Sequence, residues 1–165
     1  MKNHSLKMNW GLNLARFTGF LSLALGVVVL LGWYLHEPAL IQVNPAFVPM
    51  QYNTALGFAL GGLALLGLAL SWPRIAGIAG VIALLTGVLT LIEYSFGIDL
   101  HIDQLFMEHY IDLKTSNPGR MAPNTALCFS LTGLAVLLTL LLHERARVSA
   151  WIATQIGRAS CRERV

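Results

Sequence analysis

The sequence predicts an all-α integral membrane protein: a four-helix bundle made of two duplicated helical hairpins, with both termini in the cytoplasm. Three observations lead there. Four long apolar stretches punctuate the chain, an internal repeat links the second to the fourth, and Lys and Arg are divided unevenly between successive flanks. Composition agrees, since 56% of the 165 residues are hydrophobic and only 12% are charged. A soluble domain of this size would need an unusually large core to hide that much apolar surface.

The four stretches run over 17–35, 54–72, 75–96 and 125–142, and Glu93 is the only acid in any of them. Each is close to the roughly 20 residues that a helix needs to cross about 30 Å of hydrocarbon. The first follows Lys2, Lys7 and Arg16, as a secretory signal would. It ends, however, in Trp33, Tyr34 and His36 rather than in a small-residue cleavage site, so it is expected to stay as a permanent span. Spans two and three are joined only by Trp72-Pro73-Arg74, a link so short that it forces an antiparallel hairpin, with the proline expected to stop the preceding helix.

Charge sets the orientation. Lys2, Lys7, Arg16, Arg74, Arg145 and Arg147 flank one side of the spans, whereas Lys114 and Arg120 flank the other. The positive-inside rule therefore places residues 1–16, the 72–74 link and the 143–155 segment in the cytoplasm, with the loops over about 36–53 and 97–124 outside. Small residues are expected to mediate close helix contacts: Gly57, Gly61, Ala64 and Gly67 on span two, and Ala76, Gly80, Ala83 and Gly87 on span three.

The repeat is the most specific feature. Residues 50–66, MQYNTALGFALGGLALL, align without a gap on residues 121–137, MAPNTALCFSLTGLAVL, with eleven of seventeen positions identical. Apolar composition supplies chance Leu and Ala matches but not a shared Asn-Thr-Ala-Leu-x-Phe at the start of both spans. The expected arrangement is two copies of helix, outer loop and Asn-Thr helix, related by a pseudo-two-fold axis along the membrane normal. Asn53 and Asn124 then occupy equivalent helix starts, where an Asn side chain caps a backbone N–H. A sharper expectation is that the two helix N-termini, with Arg120 beside the second, face a shared polar or anionic ligand. Glu93 joins these three as a candidate ligand residue, because an intramembrane carboxylate is costly, although its place near a helix end suggests access to interfacial water or an interhelical hydrogen bond.

The second outer loop is long and acidic, with Asp99, Asp103, Glu108 and Asp112. His101, Asp103, Glu108, His109 and Asp112 are candidate metal ligands, since imidazole and carboxylate together suit zinc or a similar ion. No tight ligand motif is present, and acids and histidines are ordinary in a solvated loop. His4, His36, His101, His109 and His143 all lie at or beyond span ends, which disfavours a bis-histidine haem in the membrane. No phosphate loop, kinase motif or nucleophile elbow occurs, so the sequence identifies no catalytic residue and no cofactor. Cys128 lies in a span and Cys161 in the tail, which leaves no disulfide framework.

The last ten residues, IGRASCRERV over 156–165, are unlike the rest of the chain and resemble translated read-through of a common short-read sequencing adapter. Excluding them removes Arg158, Arg162, Arg164 and Glu163 and lowers the formal charge from +3 to +1, so the basicity does not point to nucleic acid. The native chain is then expected to continue past Thr154.

Residues 96–106, FGIDLHIDQLF, followed by PGRMAPNTALCF over 118–129, resemble an N-terminal membrane region of bacterial sensor proteins that precedes PAS, histidine kinase or diguanylate cyclase domains. The resemblance covers nearly all of residues 10–142. It implies a multi-pass protein of the bacterial inner membrane that acts as a sensory input module in signal transduction. It also implies a missing cytoplasmic output domain through which two copies pair, and partners limited to the lipid bilayer and that second copy. The segment after Leu142 is then a connecting helix. A small transporter or channel subunit, or a plain membrane anchor, would also need four packed helices, but a transport path would have few polar residues besides Glu93 to line it.

Overall fold

The structure, a computed structural model, describes residues 2–42, 44, 48–107, 110 and 119–162, with side chains described from Trp10 to Ala146. Five helices make up the regular structure: α1 (Lys2–Leu35), the short α2 (Pro38–Ile41), α3 (Tyr52–Ala69), α4 (Pro73–Phe96) and α5 (Pro123–Arg162). No strand occurs among the described residues. Segments of α1, α3, α4 and α5 are long and apolar enough to cross a membrane: Trp10–Leu35, Tyr52–Ala69, Pro73–Phe96 and Pro123–Ala146.

Each of these segments overlaps one of the four apolar stretches, and the helices extend further where flanks continue them. α1 begins at Lys2, well before the apolar stretch, because nothing between Lys2 and Arg16 breaks a helix. Pro73 does not merely end α3. It opens α4 at the first helical position, where a missing N–H costs nothing, while Ser71 turns the chain at φ 60°. α5 begins the same way, at Pro123.

α1 packs chiefly on α3, and α4 packs chiefly on α5. α3 also touches α4 and, less extensively, α5, whereas the backbone of α1 stays away from those of α4 and α5 among the described residues. α1 and α3 thus form one packed pair and α4 and α5 another, with α3 joining the two. Half of the α3 span is buried, against 17% of the α1 span. The outer faces carry Phe17, Phe20, Leu21, Leu31, Ile78, Leu85, Leu131 and Leu141, all exposed, as expected of a surface solvated by lipid rather than water.

Within each pair the backbones meet at glycines, and the two pairs meet in the same way. Gly26 sits against Ala55 and Ala59, and Gly62 against Gly19 and Leu23. In the other pair, Gly87 sits against Ala126 and Ser130, and Gly133 against Gly80 and Leu84. A methyl group on Gly26 would lie 2.5 Å from the Ala59 nitrogen, and one on Gly133 would lie 2.5 Å from the Gly80 oxygen. Such approaches replace side-chain interdigitation with extended backbone contact. Of the small residues read from the sequence, Gly57 packs under the Phe129 ring and Gly67 against Ala76, whereas Gly61 has no neighbour within 4 Å of an added methyl. They serve different partners rather than one face.

Both pairs are also closed alike at one end. The Trp33 Nε1 donates to the Met50 carbonyl at 3.0 Å, 17 residues on, and the Tyr94 hydroxyl donates to the Met121 carbonyl at 3.2 Å, 27 residues on. α1 gives way to His36 at φ 57° and α4 to Gly97 at φ 63°. At the opposite end, Arg16 donates to the Ala69 carbonyl at 3.4 Å, a cation on the C-terminus of α3. Leu12, Ser71, Pro73 and His143 line one cavity there, so the start of the α1 span, the α3–α4 link and the far part of α5 share this end.

Adjacent glycines offer a direct test of this packing. Gly62→Ala should destabilise the protein by about 1–3 kcal/mol, because the atoms in its way are backbone of α1. Gly61→Ala, into open space, should be neutral or slightly stabilising. Reversible unfolding in mixed detergent micelles measures both.

A candidate site of three carboxylates and one arginine

The site forms where the second long loop returns to the bundle. α4 ends at Gly97, whose left-handed backbone turns the chain so that residues 98–103 fold back over the last helical turn. Glu93, on that turn, is fully buried, and its Oε1 accepts a 2.9 Å hydrogen bond from the Leu100 N–H. The sequence suggested that it reaches interfacial water. The folded-back loop instead covers it, so a backbone N–H takes the place of solvent.

Asp99, largely exposed, accepts the His101 N–H at 2.8 Å through Oδ1, an Asx turn that shapes the loop. Asp103 points inward. Its Oδ2 accepts a 2.6 Å bond from Arg120 Nε, and the same Nε lies 3.4 Å from Glu93 Oε2. Arg120 Nη2 lies 3.8 Å from Asp99 Oδ1, and the guanidinium carbon stands 5.5 Å from the centre of the Tyr94 ring. One cation thus faces three carboxylates and an aromatic ring.

The backbone on either side of Arg120 is fixed. Gly119, at φ 83°, donates its N–H to Gln51 Oε1 at 3.1 Å, and it lies so near the Asp103 carbonyl that a methyl group would stand 2.6 Å from that oxygen. Met121 is fully buried beside Ala126 and Phe129, and its carbonyl accepts the Tyr94 hydroxyl. From the start of α3, Asn53 Nδ2 donates to the carbonyls of Ile102 at 3.2 Å and Asp103 at 3.4 Å. Gln51 and Asn53 therefore hold both passes of the loop against the first helical pair.

Burial opposes the charge on Arg120, but the Asp103 hydrogen bond and the fields of Asp103, Glu93 and Asp99 outweigh it and raise the guanidinium pKa above its ordinary value. Arg120 is therefore a permanent cation here.

The sequence-derived ligand residues fall into two sets. Arg120 and Glu93 meet, and Asn53 adjoins them through the loop it holds. Asn124 stands apart, exposed, its Oδ1 accepting the N–H of neighbouring Thr125 at 3.0 Å. Neither Asn sits at the cap position: each is the second residue of its helix, and Gln51 occupies the α3 cap position without a side-chain cap bond, although Asn124 does accept a first-turn N–H as expected. Of the sequence-derived metal ligands, Asp103 lies in the cluster and His101 is exposed beside Asp99, while Glu108, His109 and Asp112 lie outside the described residues. Gln51 and Tyr94 were not singled out from the sequence, and Asp99 was noted only as one of the acids of the loop. Gln51 could have been, because it lies inside the repeated segment. Comparison with family models, curated proteins and solved structures returns no match, so the site is read from its own geometry.

The unequal roles of the two asparagines are measurable. Asn53→Ala leaves two carbonyls without their donor beneath the loop and should cost about 1–3 kcal/mol of unfolding free energy. Asn124→Ala should stay within about 0.5 kcal/mol of the parent, as exposed substitutions do.

Proposed function

We propose that this chain is the membrane-embedded sensory input module of a bacterial signalling receptor, built from two copies of one helical hairpin with both termini cytoplasmic. The duplication reading draws on the 50–66 and 121–137 repeat and on the recurrent contacts at Gly26 and Gly87, Gly62 and Gly133, and Met50 and Met121. The orientation reading draws on Lys and Arg, with Arg16 and Arg74 at the end shared by Leu12, Ser71 and His143. In this reading the bilayer is inner membrane, and the cluster around Arg120 faces outward.

The observation that carries the proposal is the continuity of α5. It starts at Pro123, three residues after the arginine held by three carboxylates, and runs without interruption past the end of its apolar span. A change at Arg120 would shift the end of a rod that reaches the other side of the membrane, where a histidine kinase or diguanylate cyclase domain is the proposed output. Such an output works through pairing of two copies, with the bundle as the two-state element.

The test fuses residues 1–154 to a histidine kinase core and measures autophosphorylation in membranes. Arg120→Gln should change it about fivefold or more, a coupling in the ordinary allosteric range. A short glycine insertion after Leu142 should abolish that change. Unaltered output in Arg120→Gln, or a change that survives the insertion, would contradict the proposal.

A further inference from the structure

We propose that Glu93, Asp99 and Asp103 form a binding site for a calcium-sized divalent cation, with Arg120 as the internal cation that holds the carboxylates together when the ion is away. Three features of the site converge on this. One oxygen from each carboxylate lies within 4.8 Å of the others. Oxygens bound to one calcium ion at about 2.3–2.6 Å stand at most about 5 Å apart, so this spacing admits calcium, and three protein carboxylates suit it better than magnesium, which is usually held by one or two.

The second feature is a charge imbalance in a buried place. Three carboxylates face one guanidinium, and Glu93 and Asp103 are both more than nine-tenths buried. The third is unmet acceptor capacity. Glu93 Oε2, turned toward the guanidinium, and Asp103 Oδ1 are shut off from solvent and have no hydrogen-bond donor among the described residues. Buried carboxylate oxygens without donors are rare, because each costs the desolvation of a charged group. A divalent cation among the carboxylates would supply the missing positive charge and bring the net charge of the four side chains to zero.

The donor set is all oxygen, which suits a hard cation rather than zinc or copper. His101, the one described imidazole nearby, is exposed and turned to Asp99. With three carboxylates and the remaining positions left to water, affinity belongs in the weak range of extracellular sites, roughly 10⁻⁴–10⁻³ M. The ion would loosen Arg120 from Asp103, and the face of Tyr94 offers the guanidinium a place beside the site. That this occupancy is the signal rests on the receptor reading. Binding itself does not.

Terbium is the probe, because it takes calcium's place and emits when a nearby tyrosine is excited. The purified chain in lipid nanodiscs should show saturable terbium luminescence. Calcium chloride should displace it in the submillimolar to millimolar range, at lower concentration than magnesium chloride. Asp99→Asn keeps an acceptor for the His101 N–H and alters an exposed side chain, so it should fold normally while weakening terbium binding at least about tenfold, the effect of 1.4 kcal/mol. Arg120→Gln, if circular dichroism shows full helicity, should bind terbium more tightly. Terbium affinity unchanged in Asp99→Asn, or luminescence that neither divalent salt displaces, would overturn the site. Because no output domain takes part, failure here is distinct from failure of the receptor reading.

Discussion

The fold outside the spans depends on one electrostatic constraint: a guanidinium enclosed by Glu93, Asp99 and Asp103. Taking charges out of water is expensive, and a pair removed from solvent is worth its place only if the geometry is good and the remaining polar atoms are satisfied. The geometry of Arg120 and Asp103 is good at 2.6 Å, but two carboxylate oxygens remain without donors. The cluster therefore stabilises less than a count of its ion pairs suggests. Its stronger effect is on arrangement: Glu93 belongs to α4, Asp99 and Asp103 to the loop, and Arg120 to the lead-in of α5, so the three segments have one way to close.

That arrangement divides labour between two chemically different regions. Inside the spans, glycines let the backbones of α1 and α3, and of α4 and α5, approach until side chains no longer separate them. In lipid, where apolar burial supplies little drive for helix association, this close contact is the main attraction. Beyond the spans, polar groups do the joining, and they join across the pairs: Gln51 and Asn53 of the first pair hold the loop of the second. The ten residues by which the second closing loop exceeds the first make that reach feasible.

Much of the fold was legible in the sequence because the membrane forces it to be. Hydrocarbon demands long apolar helices, so four stretches stood out, and Pro73 and Pro123 marked two helix starts once read as first-turn residues. The start of α1 was not legible, since Lys2 to Arg16 mixes polar and apolar residues and holds no proline to mark a boundary. The site was half legible. Glu93 and Arg120 were conspicuous as charges in unusual places, and they do meet. Their partners were less so: Asp99 is exposed and ordinary by composition, and Asp103 stood out only as one acid of a candidate metal loop until the turn at Gly97 aimed that loop back at α4. The repeat misled on one point. Identical Asn-Thr starts suggested identical roles, but the pseudo-equivalent of Arg120 is Pro49, and among the described residues Asn53 bonds a loop while Asn124 bonds its own helix.

A double-mutant cycle between Arg120 and Asp103 tests the central constraint most directly. Arg120→Gln, Asp103→Asn and the double variant are unfolded reversibly in micelles, and the coupling is the departure of the double variant from the sum of the singles. A coupling of about 1.5 kcal/mol or more is expected for a buried, hydrogen-bonded pair on which the loop depends. A coupling within about 0.3 kcal/mol of zero would show that the arginine and the loop are held independently.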